Sequence, residues 1–346
     1  MSFESPKEIE RKILAILKVL SNLQKPAGSV IIAKELKIMG VDLSERAIRY
    51  HLKLTDERGF TRLVTERDGR VITDKGRREI ERAMVNDKVG FAISRIERLS
   101  FLSNFDFEKR AGNVPVNISF FPEEKFLAAL KAMEEIFEKG YCVSTLVAFA
   151  RGGQFIGNLL VPSGMMGLGT ICSIITNGAL LKAGVPMDSR FGGIMQMVNE
   201  RPIRFTEIIH YNGSSLDPSE IFIKAGMTTV TAAATTGNGE ILANFREIPA
   251  ICQPVAVKVI EGLKQAGFSG VLSFGDTSAP VCEIAVDLNK IGIVLVGGLN
   301  PVAAAAEQGF PSIIHSMSTV VDYNVLVSYK EVMKRFDLRE RLSVYD

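Results

Sequence analysis

The most chemically versatile residues of this chain sit in short loops: Arg151-Gly152-Gly153, Ser163-Gly164, Gly167 to Ser173, Ser189 to Gly193, Thr235 to Gly239, Gly275 to Ser278 and Gly297 to Asn300. Glycines expose backbone N–H groups, hydroxyls add donors and Arg offers a two-pronged fork. Such loops can hold a small carboxylate without catalysing anything. Turn chemistry alone also explains most of them, so the loops mark where to look rather than what is bound.

Catalytic constellations are not found. The three histidines, His51, His210 and His315, form no HxxxH or HExxH pair, which leaves no basis for a zinc site and no metal is expected. Gly152-Gly153-Gln154-Phe155-Ile156-Gly157 starts like a phosphate-binding loop, but Asn158-Leu159 stands where Lys-Ser/Thr is required. Gly167-Leu168-Gly169-Thr170-Ile171-Cys172 starts like a dinucleotide fingerprint but places Cys at the third glycine, and no GxSxG elbow occurs. No catalytic residue and no cofactor is expected. The competing reading is a metabolic enzyme with a DNA-binding appendage, acting on a small 2-oxo acid through Asp276, Thr277 and Cys282.

Cys142, Cys172, Cys252 and Cys282 include no CxxC pair and read as free thiols. The equal spacing of Cys142 to Cys252 and Cys172 to Cys282 reads as coincidence. No secretory signal precedes the first helix, and the most apolar stretch, 292–306, is broken by Gly297, Gly298 and Pro301 and is too short to span a bilayer. A cytoplasmic protein with no membrane partner is the expectation.

The net charge of +2 conceals an asymmetry. Residues 1–85 carry 18 Lys and Arg against 13 Asp and Glu, and the remainder 23 against 26. Excess positive charge in a small terminal domain suits a phosphate backbone. The local patterns agree. Ile9, Ile13, Ile16, Leu17 and Leu20 recur at helical spacing, and a second helix runs from Ser29 to Met39 and is closed by Gly40. A third begins at Asp42 or Ser44, either of which can cap it, and runs to Arg58 with Ala47, Ile48, Leu52 and Leu54 inward. Phe60 to Val64 and Val71 to Thr73 flank Asp68-Gly69, a hairpin turn whose two central residues must accept positive φ. A last helix, Asp74 to Met84, completes a winged helix-turn-helix. The DNA-binding candidates are Ser44, Glu45, Arg46, Arg49, Tyr50 and Lys53 on the third helix and Arg62, Arg67 and Arg70 on the wing. A protein-docking winged helix is the alternative.

Residues 85–113 read as a connector. From 114 onward helical and β periods alternate, giving an α/β (α+β) regulatory domain. It includes strands at 270–274, 281–287 and 291–297. Ala129–Tyr141 matches Val257–Phe268, and Ile175–Pro186 matches Gly298–Pro311. The pattern predicts two duplicated ferredoxin-like βαββαβ units, at 114–223 and 239–333, within an effector-sensing and oligomerisation domain spanning 114–346.

Winged helix, connector and glycine-rich domain in this order resemble the archaeal nitrogen regulatory repressor family, NrpR, in its single regulatory domain form. The resemblance is strongest at Gly167-Leu168-Gly169-Thr170-Ile171-Cys172-Ser173-Ile174-Ile175-Thr176-Asn177-Gly178, at Lys182-Ala183-Gly184-Val185-Pro186 and at Gly298-Leu299-Asn300-Pro301-Val302-Ala303-Ala304. It implies a repressor, homodimeric or larger, that binds double-stranded palindromic operators of nitrogen-assimilation genes and is released by 2-oxoglutarate. Such a dicarboxylate wants cationic or N–H-rich surroundings. On that chemistry the effector candidates are Arg190, Arg246 and Arg151, with Gly169, Thr170, Cys172, Ser173, Asn177, Gly192 and Asn300.

Overall fold

Ile13, Ile16, Leu17 and Leu20 fall on one face of helix α1 (Pro6–Leu23), and burying that face against Ile32, Leu36, Ile48 and Leu52 forms the first core. The computed structural model describes residues 6–23, 25–39, 41–82 and 90–343. It divides into two units, 1–88 and 89–346. The expected closing residue Gly40, the end of the helix drawn to Met84 and the first part of the connector lie outside the described residues.

In the first unit α1 is followed by α2 (Ser29–Ile38), α3 (Glu45–Glu57), β1 (Thr61–Thr65), β2 (Gly69–Ile72) and α4 (Asp74–Arg82). Ser44, not Asp42, caps α3: its side-chain oxygen accepts the Ala47 N–H at 3.2 Å. Leu54, expected inward, is only half-buried, and Thr55 is buried instead. Thr55 shares a 2.7 Å hydrogen bond with Thr61 at the start of the wing. The wing is also not a two-residue turn. Thr65 pairs with Gly69 across a three-residue loop, and positive φ falls on Gly69 (+93°) alone. Glycine is needed there for a second reason: a Cβ would lie 2.2 Å from the Ala27 carbonyl oxygen. That close approach lets Ala27 and Arg70 exchange two 3.0 Å backbone hydrogen bonds, tying the wing to the segment before α2.

The second unit begins with α5 (Phe91–Leu102), so the later part of the expected connector is a helix of this unit. There follow β3 (Asn113–Pro122), α6 (Phe126–Lys139), β4 (Leu146–Arg151), the small hairpin β5 (Phe155–Ile156) and β6 (Leu159–Leu160), β7 (Met165–Ile171), α7 (Ile174–Lys182), β8 (Asp188–Val198) and β9 (Arg201–His210). Two short helices, α8 (Pro218–Lys224) and α9 (Val230–Thr236), lead to β10 (Gly239–Pro249), α10 (Gln253–Gln265), β11 (Val271–Phe274), β12 (Lys290–Val296), α11 (Asn300–Glu307), β13 (Ile313–Asp322), β14 (Val327–Ser328) and α12 (Tyr329–Ser343). The strand expected at 281–287 is absent; a single bridge, Val281 to Ile284, stands in an irregular loop.

Two antiparallel sheets result, ordered β13-β3-β7-β4-β14 and β11-β12-β10-β8-β9. The run β3-α6-β4-β7-α7-β8 repeats as β10-α10-β11-β12-α11-β13. Each copy has the βαββαβ order of a ferredoxin-like unit. Yet β8, the last strand of the first copy, hydrogen-bonds to β10, and β13, the last strand of the second, hydrogen-bonds to β3. The copies therefore exchange their final strands and share one hydrophobic core. Both central strands β3 and β10 are buried along nearly their whole length. Helix α6 contributes Phe126, Leu130, Met133, Ile136 and Phe137 to that core, each fully buried side chain of this size being worth about 1.5–3 kcal/mol. Gly140, at φ +76°, ends the helix in the left-handed cap that glycine adopts without penalty.

Candidate functional site

On the first unit, Glu45, Arg46, Arg49, Tyr50 and Lys53 are all exposed on α3. The helix is buried through Ile48, Leu52 and Thr55, so the arginines stand on the opposite face. Arg49 leans back on its own helix, with Nε donating to the Glu45 carbonyl at 3.3 Å and an ion pair to the Glu45 carboxylate at 3.8 Å, a loose, exposed pair easily exchanged for a phosphate. Ser44 is occupied as the helix cap. On the wing Arg62 and Arg67 are exposed, whereas Arg70 is not at liberty: its Nε donates to Asp56 Oδ2 at 2.6 Å, with both side chains about three-quarters buried. Asp56 also accepts the Thr61 hydroxyl at 2.6 Å. Arg70 thus fixes the wing to the end of α3 rather than reaching outward.

In the second unit the strand exchange creates a cleft where the two copies meet. The turn from β7 into α7 supplies Cys172, Ser173 and Ile174, and its counterpart from β12 into α11 supplies Gly298 and Leu299. These turns touch: a Cβ on Gly298 would lie 2.2 Å from the Ile171 carbonyl oxygen and 2.8 Å from Asn117 Nδ2. Asn117 on β3 and Asn244 on β10 occupy equivalent places in the two copies. Asn117 Oδ1 accepts the Met317 N–H at 2.9 Å; Asn244 accepts the Tyr211 hydroxyl and donates to Ser173 Oγ at 3.3 Å. Met317 holds φ +44°, a left-handed conformation rare outside glycine, where β13 bulges between His315 and Thr319.

The frame is symmetric but its charges are not. Where β10 carries Arg246, the equivalent place on β3 carries Ser119. Arg246 is 1% exposed, its guanidinium lies 4.9 Å from the centre of the Tyr211 ring, and its Nε has no hydrogen-bond partner. NH1 reaches the Phe245 carbonyl at 3.4 Å, and no ion pair to Arg246 exists among the described residues. A buried guanidinium held in this way is costly unless an anion joins it. Asp217 lines the same cleft, and burial pushes its carboxyl above the ordinary carboxylate range. Burial also raises the Tyr211 hydroxyl and the Cys172 thiol to about 12, so neither ionises near neutrality. The cleft is tight, about 20 Å³, room for roughly one water.

Of the effector candidates, Arg246, Cys172 and Ser173 converge on this cleft, and Gly192 lies beside it, where a Cβ would approach the Tyr211 hydroxyl oxygen to 3.0 Å. The others do not line it. Arg190 is held by Asp188, Glu247 and Asp287 at 3.3–3.4 Å on an ionic cluster that also contains Lys290. Arg151 ends β4, and Gly169 and Thr170 lie within β7. Asn300 is structural: its side chain accepts the Leu242 N–H at 2.8 Å and donates to the Leu242 carbonyl at 3.1 Å, pinning α11 to β10. Asn177 faces a different cavity. Asn117, Tyr211, Asp217, Asn244 and Met317 escaped the sequence reading. Aligning the two copies strand by strand pairs Asn117 with Asn244 and would have exposed both, but Tyr211 and Asp217 sit in the segment between the copies and carry no motif.

A family model described as NrpR regulatory domains NRD1 and 2 matches residues 89–328. The chain belongs to the NrpR family. A second model, the ribonuclease R winged-helix domain, matches residues 14–80, the unit built on α1 to α4. Among curated relatives, the global nitrogen regulator NrpRI of Methanosarcina mazei is 36% identical over 319 residues, covering 92% of this chain and 98% of that protein. The global nitrogen regulator NrpR of Methanococcus maripaludis is 32% identical over 311 residues, and there the chain spans only 53% of its relative. A solved nitrogen repressor-like protein from Methanococcus jannaschii superposes with a TM-score of 0.59 at 26% identity, covering 69% of this chain and 98% of that one. The curated relatives are regulators and not enzymes, and the enzyme reading built on Asp276, Thr277 and Cys282 is set aside. NrpR membership makes this a nitrogen regulator with a winged helix, and no described helix is long and apolar enough to cross a membrane.

Proposed function

We propose that this protein is a repressor of nitrogen-assimilation genes. In this reading it binds palindromic operator DNA as a homo-oligomer through α3 and the wing, and 2-oxoglutarate at Arg246 releases it. The observation that carries the effector half is the buried Arg246, which lines the cleft and whose Nε has no partner. A dicarboxylate supplies the missing acceptor, and the hydroxyl and amide groups of Ser173 and Asn117 line the same space.

The closed cleft is too small for a dicarboxylate, so its walls must part on binding. The segment carrying Tyr211 and Asp217 forms one wall, and the Ala92 N–H at the start of α5 donates to the Ser214 carbonyl of that segment at 3.4 Å. Along the chain α5 is the first described helix after the winged-helix unit. Movement of this wall therefore reaches the helix that follows the winged-helix unit in the chain, and a ligand that binds the open state better shifts the population accordingly. The test is fluorescence anisotropy of a labelled palindromic operator at fixed salt, with and without millimolar 2-oxoglutarate. Selective binding that weakens with 2-oxoglutarate in the parent protein, but not in Arg246→Met, supports the reading; an equal response in both overturns the site.

A further inference from the structure

A second cavity lies between α5 and α7, and its chemistry is opposite in sign. It encloses about 290 Å³ beside Ile93, Ile96, Glu97, Asn177, Leu181 and Met187. The two helices touch at Gly178, where a Cβ would come within 3.0 Å of the Ser100 carbonyl oxygen, and the cavity lies alongside that contact toward the start of α5. Ile93, Ile96, Leu181 and Met187 make the apolar part of its wall, and Glu97, Ser100, Asp188 and Asn212 share the rest. Its floor is polar: Asn177 is 4% exposed and Ser189 3% exposed, and Asn177 Nδ2 donates to Ser189 Oγ at 3.0 Å. That hydrogen bond uses the amide's donor side and leaves Asn177 Oδ1 buried with no partner.

A buried amide oxygen with nothing donating to it is destabilising, by an amount similar to a lost hydrogen bond. Here the orphan acceptor belongs to a residue that lines a space of small-ligand size, and a small turn of the amide would present it there. Glu97, on the rim, has no ion pair among the described residues. Asp188, also on the lining, is already satisfied by Arg190 and Lys290 at 3.3 and 3.5 Å. No cationic side chain lines the cavity. We propose that this cavity is a second ligand site, taking a compact molecule with a primary amine or amide head on a short apolar body. The head donates to Asn177 Oδ1, the body lies against Ile93, Ile96 and Leu181, and a cationic head gains from Glu97.

The site is placed to influence the first. Ile96 lines this cavity and also packs in one cluster with Cys172, Ile174, Tyr211 and Met317, all lining the Arg246 cleft. A nitrogen-bearing ligand on one side of α5 and a dicarboxylate on the other thus press on the same helix.

The test is a titration of the full chain with n-butylammonium, butanamide and butanoate, followed by NMR of labelled Ile and Leu methyl groups. Butanoate has the same body and no N–H donor. The expected result is a saturable shift at the Ile96 and Leu181 methyls with butylammonium and butanamide, half-saturating at least tenfold below butanoate. Asn177→Leu removes the response to both; Glu97→Gln weakens the response to butylammonium alone. Leu181→Trp, a change at a half-exposed rim position, blocks all three probes and covers the case in which Asn177→Leu fails to fold. Equal shifts with butanoate, an undiminished response in Asn177→Leu, or no shift at all would overturn the assignment. The titration contains neither DNA nor dicarboxylate, so its outcome is independent of the effector proposed for Arg246.

Discussion

The guanidinium of Arg246 lies 4.9 Å from the centre of the Tyr211 ring, and this stacking, rather than a carboxylate, is what holds a buried arginine in the regulatory unit. Tyr211 is itself anchored by its hydroxyl on Asn244, two residues before Arg246 on the same strand. The arginine is therefore oriented in advance, with Nε buried and unpartnered in the wall of the cleft.

An arginine kept for binding is a burden on folding. Arg246→Met, of similar length and without charge, is expected to melt at the parent temperature or above it, because removing an incompletely compensated buried charge relieves desolvation. The same variant should lose its operator response to 2-oxoglutarate. Calorimetry and anisotropy on one preparation check both, and a destabilised variant would indicate a structural arginine.

The basic residues of the first unit should separate by role. Arg46→Ala and Arg49→Ala are expected to cost about 1–3 kcal/mol of operator binding each if they reach base edges, with unchanged melting. Arg70→Ala should instead lower stability by about 1 kcal/mol through loss of the pair to Asp56, and Asp56→Ala, which also removes the acceptor of the Thr61 hydroxyl, should lower it further. Denaturant titrations run beside the binding curves make the distinction.

Gly298→Ala tests the contact between the two copies. Its new Cβ meets the Ile171 carbonyl at 2.2 Å, so the turns must separate, at a cost of about 1–3 kcal/mol. Gly184→Ala meets no neighbouring atom and is strained only by φ +77°, for a loss of roughly 1 kcal/mol. Only the first substitution should also alter effector affinity.

Asp217 predicts a pH dependence of unusual sign. Burial raises its carboxyl pKa above the unfolded value of 3.8, so the native state binds more protons than the unfolded chain across that interval. Its contribution is complete below the unfolded pKa and is lost as pH rises through the raised one. Asp217→Asn, which retains a capping side chain for α8, should flatten the fall in melting temperature on the alkaline side of pH 4. An unchanged profile would remove Asp217 as the source.

Cysteine labelling reads the cleft directly. Cys172 and Cys142 are buried, with thiols pushed by burial to about 12, and should resist alkylation at pH 8. Cys252, partly exposed, should label ahead of them. Mass spectrometry with and without 2-oxoglutarate then reports whether Cys172 becomes accessible when the cleft opens.

Local order in the chain determined much of this molecule. Helical spacing from Ile9 to Leu20, the cap at Ser44, the presence of a hairpin near Gly69, though not its loop length, and the matched runs Ile175–Pro186 and Gly298–Pro311 each depend on neighbours a few residues apart, so the winged helix and the repeated βαββαβ order were legible. Tertiary structure decided the rest. Nothing local tells β8 to pair with β10 in place of β3, because a strand buried along most of its length suits either sheet and the choice rests on pairing between distant strands. That choice makes the cleft, and with it the difference between Arg246 and Arg190. Both are arginines beside apolar strand residues, but one is enclosed where the copies meet and the other lies among three carboxylates at a sheet's end. Burial and counter-charge are properties of what surrounds a side chain in space, and here Tyr211 beside Arg246, and Glu247 and Asp287 beside Arg190, come from distant parts of the chain.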